Sequence, residues 1–254
     1  MNVQYAIKNG TVYCLEVNPR ASRTIPFVSK AIGAPLARLA GKVMVRKSLV
    51  ELGFTQEIWP RHISVKESVF PFIKFPGVNI ILSPEMKSTG EVMGIDQELG
   101  QAFFKSQEAA WARLPLEGRV FVSVKNDDKI KIVSIAKQLK EIGFALVATR
   151  GTAEFLKNAG IETETILKIA EGRPNVGDWI RDGKIQILIN TPSGKGPMLD
   201  EGKIRSLAVS FNIPCITTVN AARMAVEGIR SAKKGALGVR TIQDYHRDLC
   251  TMKT

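Results

Sequence analysis

From Gly118 to the end of the chain, short apolar runs alternate with segments of helical periodicity, and this alternation limits the possible folds most. Strands are predicted at 120–124, 144–147, 163–167, 185–190 and 214–217. Helices are predicted between and after them, at 132–142, 152–159, 176–182, 200–211 and 221–233. Strands and helices of this length that alternate in this way predict a doubly wound, mostly parallel α/β sheet.

The loops that follow three of these strands, at 125–129, 149–152 and 190–194, are rich in Thr, Ser, Asn, Gly and Lys. Ligands of doubly wound sheets bind beyond the carboxyl ends of the strands. Backbone amides at a helix start and nearby hydroxyl groups can hold a phosphate, which Lys129 and Lys168 could also reach. A capped helix and a turn without a ligand would explain each loop alone, whereas three loops on one sheet edge favour a nucleotide site.

The first half of the chain has a different pattern. Two strands, at 1–7 and 11–17, flank an Asn-Gly pair, which is a strong signal for an antiparallel hairpin. Helices are predicted at 27–33 and 36–47, a strand at 63–70, and a helix that has Asp96 as its N-cap and reaches about Arg113. Because Pro115 and Gly118 interrupt the pattern, we predict a domain boundary there, with domains at 1–117 and 118–254.

Polar side chains alternate along the second strand of this hairpin. Residues two apart on a strand point the same way, so Glu16, Asn18 and roughly Arg20 share one face, and Gln4 on the first strand can join them. Carboxylate and amide oxygens suit a hard divalent cation, and a guanidinium matches phosphate with two parallel donors. A solvated strand face would show the same alternation, so the pattern alone leaves both interpretations open.

The composition excludes several classes of protein. The chain has 254 residues, 44% hydrophobic and 24% charged, and no apolar run long enough to cross a bilayer, so we expect neither a membrane span nor a signal peptide. Three cysteines without metal-like spacing indicate a reducing, cytoplasmic setting. The net charge of +12 could attract nucleic acid, but few aromatics accompany it, so we expect small anionic ligands and no nucleic acid.

Several strings in fixed order carry a resemblance to a known family. The metal-binding strand of ATP-grasp ligases resembles LEVNPRASRT at 15–24. The carbamoyl phosphate synthetase large subunit is similar in the flanking strings as well, which are NVQ at 2–4, IPFVSKA at 25–31, KFPG at 74–77 and STGEVMG at 88–94. The resemblance runs through all 254 residues. It implies the final part of an ATP-grasp domain with antiparallel strands, followed by a methylglyoxal synthase-like α/β domain.

The resemblance also implies roles for residues of the first domain. Gln4, Glu16 and Asn18 would hold the Mg²⁺ or Mn²⁺ ions that bridge the phosphates of ATP. Arg20 and Arg23 would balance charge on the transferred phosphoryl group. An ATP-grasp fold also needs an earlier portion with the adenine pocket and a glycine-rich flap, so we expect this chain to be a fragment that is inactive alone.

In the second domain, ATRGTA at 148–153 resembles the phosphate loop of methylglyoxal synthase-like domains. The resemblance implies an allosteric nucleotide site made of Lys129, Thr149, Thr152, Lys168, Asn190, Thr191 and Ser193. Lyase members of that family carry a catalytic aspartate in a Gly-Gly-Asp-Gln-Gln stretch, where this chain has EGRPN at 171–175. Because arginine stays protonated and cannot replace that base, we predict a binding module.

The predicted function is therefore that of the C-terminal part of an ATP-dependent, glutamine-hydrolysing carbamoyl phosphate synthetase. The family makes carbamoyl phosphate for pyrimidine and arginine synthesis, in the cytoplasm. Its implied partners are the N-terminal part of the large subunit, a glutaminase small subunit and a nucleotide effector, in an oligomer. The alternative is a stand-alone nucleotide-binding regulatory protein without catalysis. The identity of the effector, and whether ornithine also regulates, stay open.

Overall fold

The computed structural model of the chain describes residues 1–74, 86–191, 200–235 and 237–250. The contacts divide the chain into two units. The first unit comprises residues 1–62 together with the segment from Gly238 onward, and the second comprises residues 63–237. Within the described residues, no helix is long and apolar enough to span a membrane.

The first unit is built on an antiparallel hairpin. Strand β1 (Asn2–Lys8) pairs with β2 (Thr11–Asn18), and the turn between them places Asn9 and Gly10 at positive φ, as the Asn-Gly pair predicts. Two helices follow, α1 (Thr24–Ile32) and α2 (Leu36–Met44), close to their predicted positions. The last helix of the chain, which is α9 (Ile242–Cys250), also belongs to this unit.

The second unit begins with another antiparallel pair. Strand β3 (Ile63–Val69) pairs with β4 (Gly90–Asp96), and helix α3 (Leu99–Ala109) packs against both strands. The prediction that Asp96 is the N-cap of α3 is wrong, since Glu98 occupies that position, and the helix ends at Ala109 rather than near Arg113. Asp96 ends β4, and its carboxylate oxygen Oδ1 accepts hydrogen bonds from the amides of Gln97 and Glu98, two residues before the helix starts. A carboxylate followed by an amphipathic run therefore marked a strand end rather than a helix cap.

The rest of the second unit is a parallel sheet with strand order β7-β6-β5-β8-β9 in the described part of the chain. Its strands are β5 (Arg119–Ser123), β6 (Ala145–Thr149), β7 (Glu164–Ile166), β8 (Ile187–Asn190) and β9 (Cys215–Ile216). Its helices are α4 (Lys129–Glu141), α5 (Arg150–Asn158), α6 (Val176–Arg181), α7 (Asp200–Ser210) and α8 (Val219–Lys233). The predicted parallel α/β fold is confirmed.

Both faces of this sheet are buried. On β5, Val120 and Val122 point into one apolar cluster, with side chains of α4, α5 and α8, while Phe121 points into a second cluster, with α6 and α7. Alternate residues of a strand serve opposite faces, so a continuous apolar run is what a sheet with two covered faces requires. This burial fixes the carboxyl ends of the strands and the loops that leave them.

The contact-based division lies at 62/63, whereas the sequence predicts a boundary at 117/118. The difference arises from α3, which packs closely along α8. An added Cβ at Gly100 would lie 2.8 Å from the carbonyl oxygen of Glu227, so only a glycine allows this approach. The boundary at 117/118 stays a prediction about which segment can fold independently.

Candidate functional site

Three polar side chains converge on the β1–β2 hairpin, and we call Gln4, Glu16 and Asn18 the polar trio. Gln4 is the direct cross-strand partner of Glu16. The Nε2 of Gln4 donates to Oε1 of Glu16 at 2.6 Å, and Nδ2 of Asn18 donates to the same oxygen at 2.7 Å. The alternation of β2 and the pairing with β1 thus bring the three side chains onto one face, and all three remain accessible to solvent.

The residue types of the polar trio fit a hard divalent cation, because each side chain carries an oxygen donor and one of them is a carboxylate. In the described residues, no cluster of three or more His, Cys, Asp or Glu side chains suitable for a metal exists. Within the trio, Glu16 is the only side chain that would offer a metal ion a negatively charged oxygen. One carboxylate with two amides leaves room for further ligands from phosphate or from a neighbouring segment.

The two arginines lie on the segment between β2 and α1, and both are exposed. Arg20 donates from Nη1 to the carbonyl of Ala21 at 3.2 Å, and Arg23 occupies the N-cap position of α1. Among the described residues, no side-chain hydrogen bond or ion pair joins either guanidinium to the polar trio. The alternation of β2 does not extend to Arg20, because the strand ends at Asn18 and Pro19 follows it.

A second constellation lies at the carboxyl edge of the parallel sheet. Thr149 ends β6 and is the N-cap residue of α5, and its hydroxyl lies 3.3 Å from that of Ser123 at the end of β5. The hydroxyl of Thr152 accepts from the amide of Val124 at 3.5 Å, and that of Thr191 accepts from the amide of Lys125 at 3.0 Å. These bonds hold together the three loops that the sequence singled out.

Asn190 contributes a buried polar group to this edge. Its side chain is 1% exposed, and Nδ2 donates to the carbonyl of Ser123 at 3.0 Å. Its Oδ1 has no hydrogen-bond partner among the described residues. Because buried polar atoms are nearly always hydrogen-bonded, this oxygen is an acceptor that still needs a donor.

The cationic residues of this edge differ in their environment. Lys129 is half-buried, with Nζ 5.9 Å from the centre of the Phe155 ring and 3.5 Å from where a Cβ on Gly151 would be. It thus lies beside the first turn of α5, where free amides and the helix dipole attract an anion. Lys168 is exposed, and its backbone amide donates to Glu171 at 2.9 Å. Ser193 lies outside the described residues.

Two residues that the sequence analysis missed help to build this edge. Ser123 contacts both Thr149 and Asn190, and Lys125 donates its amide to Thr191. The signal for Ser123 was a polar residue within the apolar run at 120–124, which on a strand that is otherwise buried indicates a polar partner. The bond made by Lys125 involves its backbone, and such a contact leaves no mark in the sequence.

The segment at 171–175 forms the start of α6. Oδ1 of Asn175 accepts from the amides of Gly177 and Asp178 at 2.9 and 3.2 Å, while Oδ2 of Asp178 accepts from the amide of Asn175 at 3.0 Å. The guanidinium of Arg173 lies 3.1 Å from the Asp178 carboxylate. The polar groups here are thus paired within a reciprocal cap.

Comparison with known proteins matches both units. Residues 1–52 match the family described as carbamoyl-phosphate synthase L chain, ATP binding domain, and residues 131–217 match the MGS-like domain. The chain is 51% identical over 249 residues to the carbamoyl phosphate synthase large chain of Archaeoglobus fulgidus, and 52% identical over 245 residues to that of Myxococcus xanthus.

These alignments cover 98% and 96% of this chain, respectively, but 23% of each relative, so the chain spans about a quarter of their length. The ATP-binding match falls on the hairpin that carries the polar trio, and the MGS-like match falls on the parallel sheet. The sequence resemblance is thereby confirmed: the chain is similar, over nearly its whole length, to the C-terminal part of the carbamoyl phosphate synthase large chain, with one segment that matches the ATP binding domain of that protein and one that matches an MGS-like domain.

Proposed function

We propose that this segment takes part in the ATP-dependent phosphorylation of carbamate to carbamoyl phosphate. In that step a carbamate oxygen attacks the γ-phosphorus of ATP, the bond to the bridging oxygen breaks, and ADP leaves. The observation that best supports this proposal is that Gln4 and Asn18 both contact the Glu16 carboxylate, within the part that matches an ATP-binding domain. The same match disfavours the alternative of a stand-alone regulatory protein.

The polar trio would hold Mg²⁺ or Mn²⁺ through side-chain oxygens. A divalent cation neutralises charge on the phosphates of ATP. Catalysis of phosphoryl transfer depends mainly on such neutralisation and on the positioning of the reactants. Rotation of the two amide groups would turn their oxygens toward the cation while Glu16 stays in place. Arg20 and Arg23 would then balance the charge of the transferred group, since both are exposed and follow the trio directly.

The carboxyl edge of the parallel sheet would bind a nucleoside monophosphate as an allosteric effector. The first turn of α5, with Thr149, Thr152 and Lys129, suits the phosphate. Asn190 and Thr191 suit the ribose or the base, because the buried Oδ1 of Asn190 needs a donor. Lys168 and Ser193 complete the proposed set, which rests for these two on the resemblance.

The whole enzyme would include the upstream part of the large chain, a glutaminase small subunit and further copies, in the cytoplasm. Exposed apolar side chains on the hairpin support an upstream partner, because patches of this kind usually mark interaction sites. Six apolar side chains of the hairpin are at least half exposed, namely those of Tyr5, Ile7, Val12, Tyr13, Leu15 and Val17. Free thiols at Cys14 and Cys215 agree with a reducing compartment.

The proposed catalysis is tested by running the step in reverse, as formation of ATP from carbamoyl phosphate and ADP with Mg²⁺. The 254-residue chain should form no ATP, because the resemblance assigns the adenine pocket to an upstream part. A large chain that carries this segment together with its upstream part should form ATP. Synthesis by the 254-residue chain alone, or none by the longer chain, would contradict the proposal.

Nucleotide binding is tested by calorimetry on the whole chain with uridine and inosine monophosphates. Lys129→Ala and Lys168→Ala should each weaken binding by about 1.5–3 kcal/mol, which is typical for a charge-assisted hydrogen bond. Lys137→Ala is the matched control, since Lys137 lies on α4 with Lys129 but two turns further along, and is exposed. No heat of binding with either nucleotide, or an equal loss of affinity in all three variants, would contradict the nucleotide site and indicate that these loops only cap helices.

A further inference from the structure

The C-terminal helix α9 contacts the end of helix α1 through a histidine. Nε2 of His246 lies 2.6 Å from the carbonyl oxygen of Lys30. The other histidine of the chain makes the matching contact, since Nε2 of His62 lies 2.7 Å from the carbonyl oxygen of Ala31. A carbonyl oxygen only accepts, so both rings carry a proton on Nε2.

These two carbonyls belong to the last turn of α1, where a helix has no partners of its own. Gly33 closes that turn with φ +67°, and a Cβ there would lie 3.0 Å from Cγ of His246. The ring of His246 therefore packs on the glycine while its Nε2 caps the helix. A Cβ at this position would force the ring to move by a few tenths of an ångström, and the left-handed φ in addition disfavours any residue with a side chain.

The same contact forms the small buried core of the first unit. Ala31, Ala34, His62 and Tyr245 are each between 4% and 7% exposed, and they are the buried residues among those described in this unit. The ring of Tyr245 meets that of His62 edge-on, with centres 5.3 Å apart. Without α9, the other three side chains would lose this cover.

The start of α9 is held in place locally. The hydroxyl of Thr241 donates to Oδ2 of Asp244 at 2.7 Å and accepts from the amide of Asp244 at 3.2 Å. Arg240 donates to the carbonyl of Asp244 at 2.8 Å, and its guanidinium lies 4.8 Å from the centre of the Tyr245 ring. These contacts stabilise the first turn of α9, which carries Tyr245 and His246.

We propose that α9 is a strap that positions α1, with His246 as a positioning residue for the phosphate-facing segment before that helix. The proposal rests on the proposed function, because α1 begins at Thr24, directly after Arg20 and Arg23. The segment that leads into α9 begins at Gly238, directly after the second unit ends at Leu237. A segment that follows the nucleotide-binding domain in sequence thereby orders the segment assigned to phosphoryl transfer.

The strap is tested first by amide hydrogen exchange on the 254-residue chain. His246→Ala should speed exchange in residues 28–36 by about two- to tenfold, the equivalent of one hydrogen bond, and leave β5 and β8 unchanged. His246→Gln should restore slow exchange, because its amide can still donate to Lys30. Unchanged exchange in His246→Ala, or equal acceleration throughout the chain, would overturn the proposal.

Two glycines provide a matched pair for the ring contact. Gly33 and Gly53 have nearly equal φ, +67° and +64°, but a Cβ at Gly53 would meet no atom of the described residues within 4 Å. Gly33→Ala should therefore speed amide exchange in residues 28–36, whereas Gly53→Ala should leave the exchange of those residues unchanged. In a His246→Ala background Gly33→Ala should speed the exchange of these amides less than it does in the wild-type chain, since the clash with the ring is gone and only the strain of a left-handed alanine remains. Full additivity of the two changes would overturn the packing role of His246.

The catalytic consequence is measured in the full large chain as ATP formed from carbamoyl phosphate and ADP. His246→Ala should lower kcat by about ten- to a hundredfold through misplaced arginines, with the KM for ADP unchanged, and His246→Gln should recover most of it. Normal kcat in His246→Ala would overturn the positioning role. A wild-type chain that forms no ATP would refute the proposed function instead, and exchange would still decide whether α9 orders α1.

Discussion

Glu67 on β3 has a partly buried carboxylate that accepts a hydrogen bond from Nε2 of Gln107 on α3 at 3.0 Å. Burial raises the pKa of this carboxyl above its ordinary value of 4.5, and the bond from Gln107 opposes that shift without cancelling it. In the folded chain, therefore, the ionised form of Glu67 is less favourable than in the unfolded chain.

The sign of this pKa shift predicts how stability depends on pH. A raised carboxyl pKa lowers stability as pH rises from 4.5 through the folded pKa, and the loss persists at neutral pH. Glu67→Gln should therefore raise the urea midpoint at about pH 7, and the gain should vanish at about pH 3.5, where Glu67 is protonated in both states. Glu117→Gln, at an exposed site, is the control. An equal gain at both pH values would refute this explanation.

At the residue scale, the sequence predicted which side chains share a site better than where each one points. The alternation of β2 and the Asn-Gly turn were sufficient to bring Gln4, Glu16 and Asn18 together. The position of Arg20 was not predictable in the same way, because alternation ends with the strand at Asn18. The catalytic role of either arginine stays a prediction.

At the scale of elements, the approach of α3 to β4 depends on a glycine in the STGEVMG string. A Cβ on Gly94 would lie 1.9 Å from the carbonyl oxygen of Ala102, so no side chain fits there without moving the helix. Gly90, at the start of the same strand, has no atom of the described residues within 4 Å of its Cβ position. The two glycines therefore have different structural roles, although both belong to the string that carries the family resemblance.

Substitution of these glycines should separate their roles. Gly94→Ala should destabilise the chain by about 1–3 kcal/mol or more, since the overlap involves backbone rather than a movable side chain. Gly90→Ala should change stability by less than about 0.5 kcal/mol. Urea unfolding followed by circular dichroism measures both. Similar losses in the two variants would contradict the close packing of α3 on β4.

Element types were predictable because the apolar period changes from strand to helix, and the parallel sheet followed from their alternation. Element ends were less predictable. The sequence predicts Asp96 as the N-cap of α3, whereas that carboxylate accepts hydrogen bonds at the end of β4 and the helix begins at Leu99, with Glu98 as its N-cap. An Asp side chain can accept hydrogen bonds from nearby amides either at the end of a strand or at the start of a helix, and the sequence does not distinguish the two.

At the scale of the molecule, the two units differ in how completely they bury their apolar side chains. The parallel sheet has an apolar cluster on each face, whereas the first unit buries few side chains and exposes apolar ones along β1 and β2. The 62/63 division was not predictable from the sequence, because it depends on long-range packing of α3 and on the return of α9. The carbamoyl phosphate synthase match, over 23% of the relatives' length, agrees with a unit completed by other segments.

The central claim is that Glu16 anchors a cation for phosphoryl transfer, and one measurement tests it most directly. In a full large chain, the rate of ATP formation from carbamoyl phosphate and ADP is compared at rising Mg²⁺ for wild type, Glu16→Gln and Glu57→Gln. Glu57 is an exposed carboxylate of the same unit, so it serves as the control. Loss of the only carboxylate of the polar trio should lower the rate by a hundredfold or more, on the order of 3 kcal/mol of charge stabilisation, and raise the Mg²⁺ requirement. A Glu16→Gln chain with the rate and Mg²⁺ dependence of Glu57→Gln would contradict the claim.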